Sequence, residues 1–355
     1  MNDYFSDRAL AQAPPILRAA YSDRMAWIMA EISRLVYDPL PPEMSVDCLL
    51  KEIIAAVKRG EEPDAVGALV SKALKAGLAD TSPVEEALRR GGFELLEAFV
   101  EEGTEALMAR LCLAGAGKGF LVLAFRGTQP RLGDVFTDIK ADLVPADKGG
   151  RAHRGFLEAF EPVEEKIREA LERHGAGELP LYITGHSLGG ALALVATRYL
   201  ASDSTGATYT FGCPRVGDDD FFRPIKTPVY RVVNAGDGVA RVPFGHGFSI
   251  LLTLIRLVPL NGTRWFSEWL RRTFAGYTHH GNLVFLSAPR NVPDDQGIAF
   301  RDLEVKKSPN IFWRAQLVLL RFIATRGKSV VSDHSIREYS QKLLAHAQRR
   351  NRPPG

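Results

Sequence analysis

Three residue types here could cooperate in nucleophilic catalysis. They are a serine with almost no bulk around it, a carboxylate just past an apolar strand, and a histidine in a late polar loop. The serine is Ser187, in "ITGHSLGGALAL" (183–194), with Gly185 and Gly189 two residues away on either side. Glycine is favoured where a turn is too sharp, or packing too close, for a side chain. Because a lone serine is a poor nucleophile, a base and an orienting acid must follow. Asp218, Asp219 and Asp220 in "GDDDFF" read as helix caps. Asp237 directly follows the strand-like run "VYRVVN" and is better placed, because site residues of α/β sheets gather beyond the strand ends. Chain order leaves His246, His279, His280 and His334 as bases; a mobile loop after the last strand suits His334, which needs one ring nitrogen for serine and one for a carboxylate.

The elements around Ser187 must hold it in place. "LPLYIT" (179–184) is a short, β-prone apolar run, and "LGGALALVATRYLAS" (188–202) is a buried helix rich in Ala and Leu. Strand, Gly-x-Ser-x-Gly turn and helix together form the nucleophile elbow of α/β-hydrolases. The turn lifts Oγ clear of the sheet and aims the first helical N–H groups at the same space. From Phe93, "FELLEAFV", "EALMARLCLAG" and "KGFLVLAFRG" read as successive strands, followed by a helix over "GFLEAFEPVEEKIREALERHG". "GATYTFGCP", "TPVYRVVNAGD" and "GNLVFLS" supply more strands. Alternating strands and helices predict an α/β fold, a mainly parallel sheet covered on both faces.

The 355 residues suit one such core with embellishments. Residues 1–91 are expected to form a helical extension packed on the core, although 1–20 look poorly ordered. It includes "SDRMAWIMAEISRLVYDP", capped at Ser22, and further helices at "VDCLLKEIIAAVKRG", "DAVGALVSKALKAG" and "SPVEEALRR". Residues 92–346 form the hydrolase-like domain, with an apolar insertion near 300–330, and 347–355 a disordered tail. Cys48, Cys112 and Cys213 are too few and too scattered for a disulfide framework or metal site; Cys112 reads as a small core residue. With no signal-like start, a cytoplasmic setting is expected, peripheral on membranes at most. The net charge is +3, but from Arg301 onward it is +8 and before that −5. A basic end can meet anionic lipid headgroups or be a solvated face. No motif suggests nucleic acid.

Residues 93–345 resemble the class 3 lipase family, the fungal-type and plant-type lipases. The matching pieces run in the family's order: "LVLAFRGT", "DVFTDI", "HRGFLEAF", "ITGHSLGGALA", "TFGCPRVGD", "VVNAGDGVARVP", "YTHHG" and "SDHSIREY". The resemblance implies Ser187 as nucleophile, Asp237 as orienting acid and His334 as base, and demotes His279 and His280. It implies an oxyanion hole from Leu188 and Thr128, and a lid over "QPRLGDVFTDI" whose underside would carry Val135, Phe136 and Ile139. It implies a lipid-ester substrate and no metal or organic cofactor. A phospholipase A1 or a soluble-ester esterase would use the same triad, and a non-catalytic lipid-binding relative would keep only the scaffold. Acyl length, headgroup and oligomeric state are left open.

Two departures stand out. Residues 41–91 have no obvious family counterpart, and the interval 281–334 is long. Apolar runs at 248–260 and 310–323 fall short of membrane-spanning length and are interrupted by Arg256, and by Arg314 and Arg321. The second run is expected to bury against the protein's own core, against another subunit, or in a lipid interface.

Overall fold

Leu121–Phe125, buried at every position, lies where the sheet changes from antiparallel to parallel. The computed structural model describes residues 3–11, 20–38, 82–112, 119–127, 143–175, 177–241, 276–289 and 299–351, with Leu40 and a few isolated positions between 54 and 70. Its main sheet contains β1 (Phe93–Glu101), β2 (Thr104–Leu111), β3 (Leu121–Phe125), β6 (Leu181–His186), β7 (Thr208–Phe211), β8 (Val229–Asn234), β9 (Asn282–Leu286) and β10 (Val305–Lys307), in the order β1-β2-β3-β6-β7-β8-β9-β10. Strands β3, β6, β7, β8 and β9 are mutually parallel; β1, β2 and β10 pair antiparallel at the edges. A separate ribbon joins β4 (Leu143–Pro145) to β5 (Arg151–His153). This is the α/β-hydrolase fold, and its central strands β3, β6 and β7 are buried at every position because helices cover both faces.

On one face lie α1 (Arg8–Ala11), α2 (Asp23–Leu35), α3 (Ser82–Arg90) and the final helix α9 (Ile336–Asn351). Their apolar residues share one core with the sheet, from Trp27 and Ile28 to Tyr339 and Leu343. Ser22 caps α2 by accepting the Met25 N–H. Helices α4 (Arg154–Arg173), α5 (Leu188–Leu200) and α6 (Asp219–Phe222) cover the other face, through Phe156, Ile167, Leu192 and Phe221. Asp218 caps α6 and also pairs with Arg151, so this acid of "GDDDFF" acts structurally. Near the end of the chain, α7 (Ile311–Thr325) and α8 (Ser329–Ser332) precede α9. Helix α7 rests on a small cluster of Val233, Ala235, Ala240, Leu283 and Phe285.

Three expectations need correction. Residues 4–11 are packed rather than loose. Phe5 is buried, stacks on Phe93 and donates its N–H to Glu31 at 2.7 Å, giving the segment both an apolar and a polar anchor. Residues 347–351 continue α9 instead of opening a disordered tail. Ala347 is buried, Arg349 donates to the Phe300 and Ala299 carbonyls, and Arg350 pairs with Asp23. Cys112 is exposed just past the end of β2 instead of filling the core, while Cys213 is buried. The expected helices between 45 and 77, the 248–260 run, Thr128, the lid segment with Val135, Phe136 and Ile139, and residues 352–355 fall largely or wholly outside the described residues.

Candidate active site

Strand β6 ends at His186 and α5 begins at Leu188, which leaves Ser187 alone in the turn. Its backbone is forced to φ 58° and ψ −126°, an unfavourable region for a residue with a Cβ. The turn is feasible because Gly185 and Gly189 face each other; a Cβ on Gly185 would collide with the Gly189 carbonyl, and one on Gly189 with the Phe125 carbonyl. From the other face, Ser33 of α2 hydrogen-bonds the Thr184 hydroxyl of the elbow strand at 2.8 Å. Leu188 is the first residue of α5, so its N–H has no partner within the helix and sits at the positive end of the dipole.

Ser187, Asp237 and His334, separated by up to 147 residues, meet at this turn. His334 Nε2 lies 2.8 Å from Ser187 Oγ, and His334 Nδ1 lies 3.0 and 3.1 Å from the two Asp237 carboxylate oxygens. A carboxylate can only accept, so Nδ1 carries the proton and Nε2 is left to accept from the serine hydroxyl. All three are buried, Asp237 completely. Asp237 stays fixed because its other contacts are also donors: the Val239 N–H at 2.9 Å and the Tyr339 hydroxyl at 2.5 Å. His279 and His280 lie apart from the triad's bonds. Burial pushes both down from the usual imidazole range, and His280 stacks flat on Phe222 at 4.8 Å.

Several supporting residues escaped the sequence reading. Tyr339 donates to Asp237 and accepts the Asn234 N–H at 3.0 Å. Gly212, at φ +56°, leaves the space the pair needs: a Cβ there would sit 2.6 Å from Asp237 Oδ2 and 2.9 Å from His334 Nδ1. Asp333 accepts from the Gly236 N–H at 3.1 Å and from Arg321 of α7 at 2.9 Å, tying the loop before Asp237 to the residue before His334. Its carbonyl accepts from Asn234 Nδ2, whose Oδ1 in turn accepts from buried Lys342 at 3.0 Å. His186, beside the nucleophile, bridges Tyr37 at 2.9 Å and the His334 carbonyl at 2.6 Å. Burial, then the neighbouring His334, hold it well below the usual imidazole range, so Nε2–H donates to the carbonyl and Nδ1 accepts from Tyr37. The available signals were "TFGCP" and the tyrosine five residues after His334.

Among the described residues, no group of three or more His, Cys, Asp and Glu side chains could hold a metal ion. The arrangement can deprotonate a hydroxyl next to a helix N-terminus, which suits acyl transfer through a covalent intermediate.

Residues 122–246 match the family model described as "Lipase (class 3)". A secreted mono- and diacylglycerol lipase of Fusarium solani is 41% identical over 101 residues, 27% of this chain and 30% of that protein. The chloroplastic phospholipase A1-Igamma1 of Arabidopsis thaliana is 31% identical over 183 residues, 41% of this chain and 34% of that protein. The solved lipase II of Rhizopus niveus aligns over 64% of this chain and 74% of its own, at 20% identity and a TM-score of 0.45. The chain spans about a third of the length of the first two relatives.

Proposed function

Residues 122–246 belong to the class 3 lipase family, and from that premise we propose that this protein is a serine carboxylic-ester hydrolase acting on acylglycerol esters at a lipid surface. The observation that carries the reading is the continuous line of contacts from Ser187 Oγ through the His334 ring to the Asp237 carboxylate.

His334 Nε2 takes the Ser187 proton as Oγ attacks the ester carbonyl. Asp237 fixes the imidazole tautomer and stabilises its protonated form. The developing oxyanion is received by the Leu188 N–H, with Thr128 as a second donor by family resemblance. His334 then returns the proton to the departing alcohol, leaving an acyl ester on Ser187. A water, deprotonated by His334, attacks that ester, and His334 returns the proton to Ser187 Oγ as the acyl–oxygen bond breaks and the carboxylic acid leaves. Each oxyanion donor contributes about 10²–10³ in turnover in sites of this kind. A phospholipase A1 reading has its own support, since two similar Arabidopsis thaliana proteins are named phospholipases A1.

The test is covalent labelling with a fluorophosphonate ester, comparing wild type with Ser187→Ala, followed by turnover of diacylglycerol, phospholipid and dissolved short-chain esters. Labelling that depends on Ser187 supports the reading. Equal labelling of the Ala variant, or no hydrolysis of any ester, overturns it.

A further inference from the structure

Helix α7 presents its greasy residues to solvent. Its protein side carries Arg314, Leu317, Val318 and Arg321, spaced at three and four residues; Leu317 and Val318 join the small β8–β9 cluster and Arg321 pairs with Asp333. The opposite side carries Ile311, Phe312, Leu319, Leu320, Phe322 and Ile323, all exposed, with Phe312 at 81% and Ile323 at 62%. Among the described residues, the other exposed large hydrophobics are the scattered Ile54, Val70 and Val100. An ordinary surface helix has the reverse arrangement, and a contiguous exposed apolar face marks an interaction site.

The charges around this face say what covers it. From Val305 to Ser332 the sequence has no Asp or Glu. Lys306 and Lys307 stand exposed before the helix, and Arg326 and Lys328 after it. Lys306 lies 4.0 Å over the Trp313 ring, at the helix's protein-side edge, and its neighbour Glu304 is its ion-pair partner. Cations at both ends of an apolar face match anionic headgroups around acyl chains. A second copy packed about a two-fold axis would instead bring the same cations together. The helix is capped by Asn310 and ended by Arg326 in the left-handed region, and no described helix is long and apolar enough to cross a membrane. It is therefore suited to lie along a surface.

We propose that the outward face of α7 is a docking surface for anionic phospholipid membranes, lying in the headgroup region with its apolar residues against the acyl chains. The Arg321–Asp333 pair joins the docked helix to the residue before His334, so docking holds the site at the interface. The proposal rests on the lipid-ester reading for its purpose, but its observable is independent of catalysis.

The experiment is co-sedimentation with phosphatidylcholine vesicles, with and without phosphatidylglycerol, using wild type, Phe312→Ser/Leu319→Glu/Ile323→Glu and Arg326→Gln/Lys328→Gln. Circular dichroism and turnover of a dissolved butyrate ester accompany each protein. Wild type is expected to bind anionic vesicles in a salt-sensitive manner. The triple variant should lose more than about tenfold in binding while keeping its soluble-ester turnover. The double variant should lose about fivefold per charge on anionic vesicles and nothing on neutral ones. The proposal is overturned if wild type stays in the supernatant, if the folded triple variant binds as wild type does, or if the double variant loses equally on both vesicles. If the triple variant misfolds, the double variant decides alone. Vesicle binding without soluble-ester turnover in wild type would sink the hydrolase reading and leave docking intact.

Discussion

Two helices flank the short link that carries His334, and they hold it differently. Helix α9 buries Tyr339, Ser340, Lys342, Leu343 and Ala347, and shares its core with α2. Its polar groups are used inward: Tyr339 on Asp237, Lys342 on Asn234 and the Ser287 carbonyl, Ser340 on Glu31. Helix α7 has no buried residue, and its inward polar anchor in the site is Arg321 on Asp333. A buried polar group left unpaired costs far more than an exposed one. The α9 side therefore fixes the geometry of the site, while the α7 side is free to answer to something outside the protein.

The largest effects are expected where the α9 side holds the reacting groups. Ser187→Ala and His334→Ala should each lower ester turnover by about 10⁴-fold or more, with unfolding midpoints little changed. Asp237→Asn should fall about 10⁴-fold, because Asn no longer holds the correct tautomer. His280→Ala should keep most of its turnover, since its ring stacks on Phe222 outside the triad. An active His334→Ala beside a dead His280→Ala would remove the base assignment. All four need only soluble-ester kinetics and a urea melt.

Tyr339→Phe and Arg321→Gln set the two sides directly against each other. Tyr339→Phe strands the buried Asn234 N–H and removes a donor from Asp237, so it should cost about 1–3 kcal/mol of stability and about tenfold in kcat. Arg321→Gln takes a guanidinium from Asp333, but the arginine is partly exposed and Asp333 keeps the Gly236 N–H. A cost of about 1 kcal/mol and a smaller fall in kcat are expected. The reverse ranking, by urea melts and soluble-ester kinetics, would mean that α7 controls the site's geometry after all.

Much of this contrast was hidden in the sequence for physical reasons. The elbow and the central strands were legible because short apolar runs bounded by Gly and Pro have few other uses. Ser187 could be read from its own neighbours, whereas choosing His334 over His279 and His280 needed the family resemblance, since chain order admits them all. Tyr339 and Asp237 are 102 residues apart, and nothing local to either announces the bond. Gly212 matters because two distant side chains occupy the volume of its absent Cβ. Residues 347–351 look like a polar tail until Arg349 and Arg350 meet their partners. In α7 the apolar pattern covers most of the circumference, so periodicity could not say which side faces out; Asp333 decides it by pairing with Arg321.

The last expected effect, seen only below neutral pH, is a pH slope in stability that starts on the α2 side. His186 spans Tyr37, just past α2, and the His334 carbonyl, and its ring is 4.5 Å from that of His334. Burial, then the neighbouring His334, lower its folded pKa well below the ordinary value of about 6.5. Above that ordinary value the ring is neutral whether the chain is folded or unfolded, and it adds no slope. Below it the unfolded chain takes up a proton that the folded chain refuses. Stability therefore drops as the pH is lowered, by up to about 1.4 kcal/mol per pH unit, until the folded pKa is reached. His279 and His280 are lowered too and add slope of the same sign. His186→Gln retains a donor for the His334 carbonyl and removes the titration. Urea melts between about pH 7 and pH 5 should show a shallower decline for this variant than for wild type, by up to that same amount per unit. Equal slopes would mean that His186 takes up its proton without unfolding, and that the link between α2 and the His334 loop opens more easily than its burial implies.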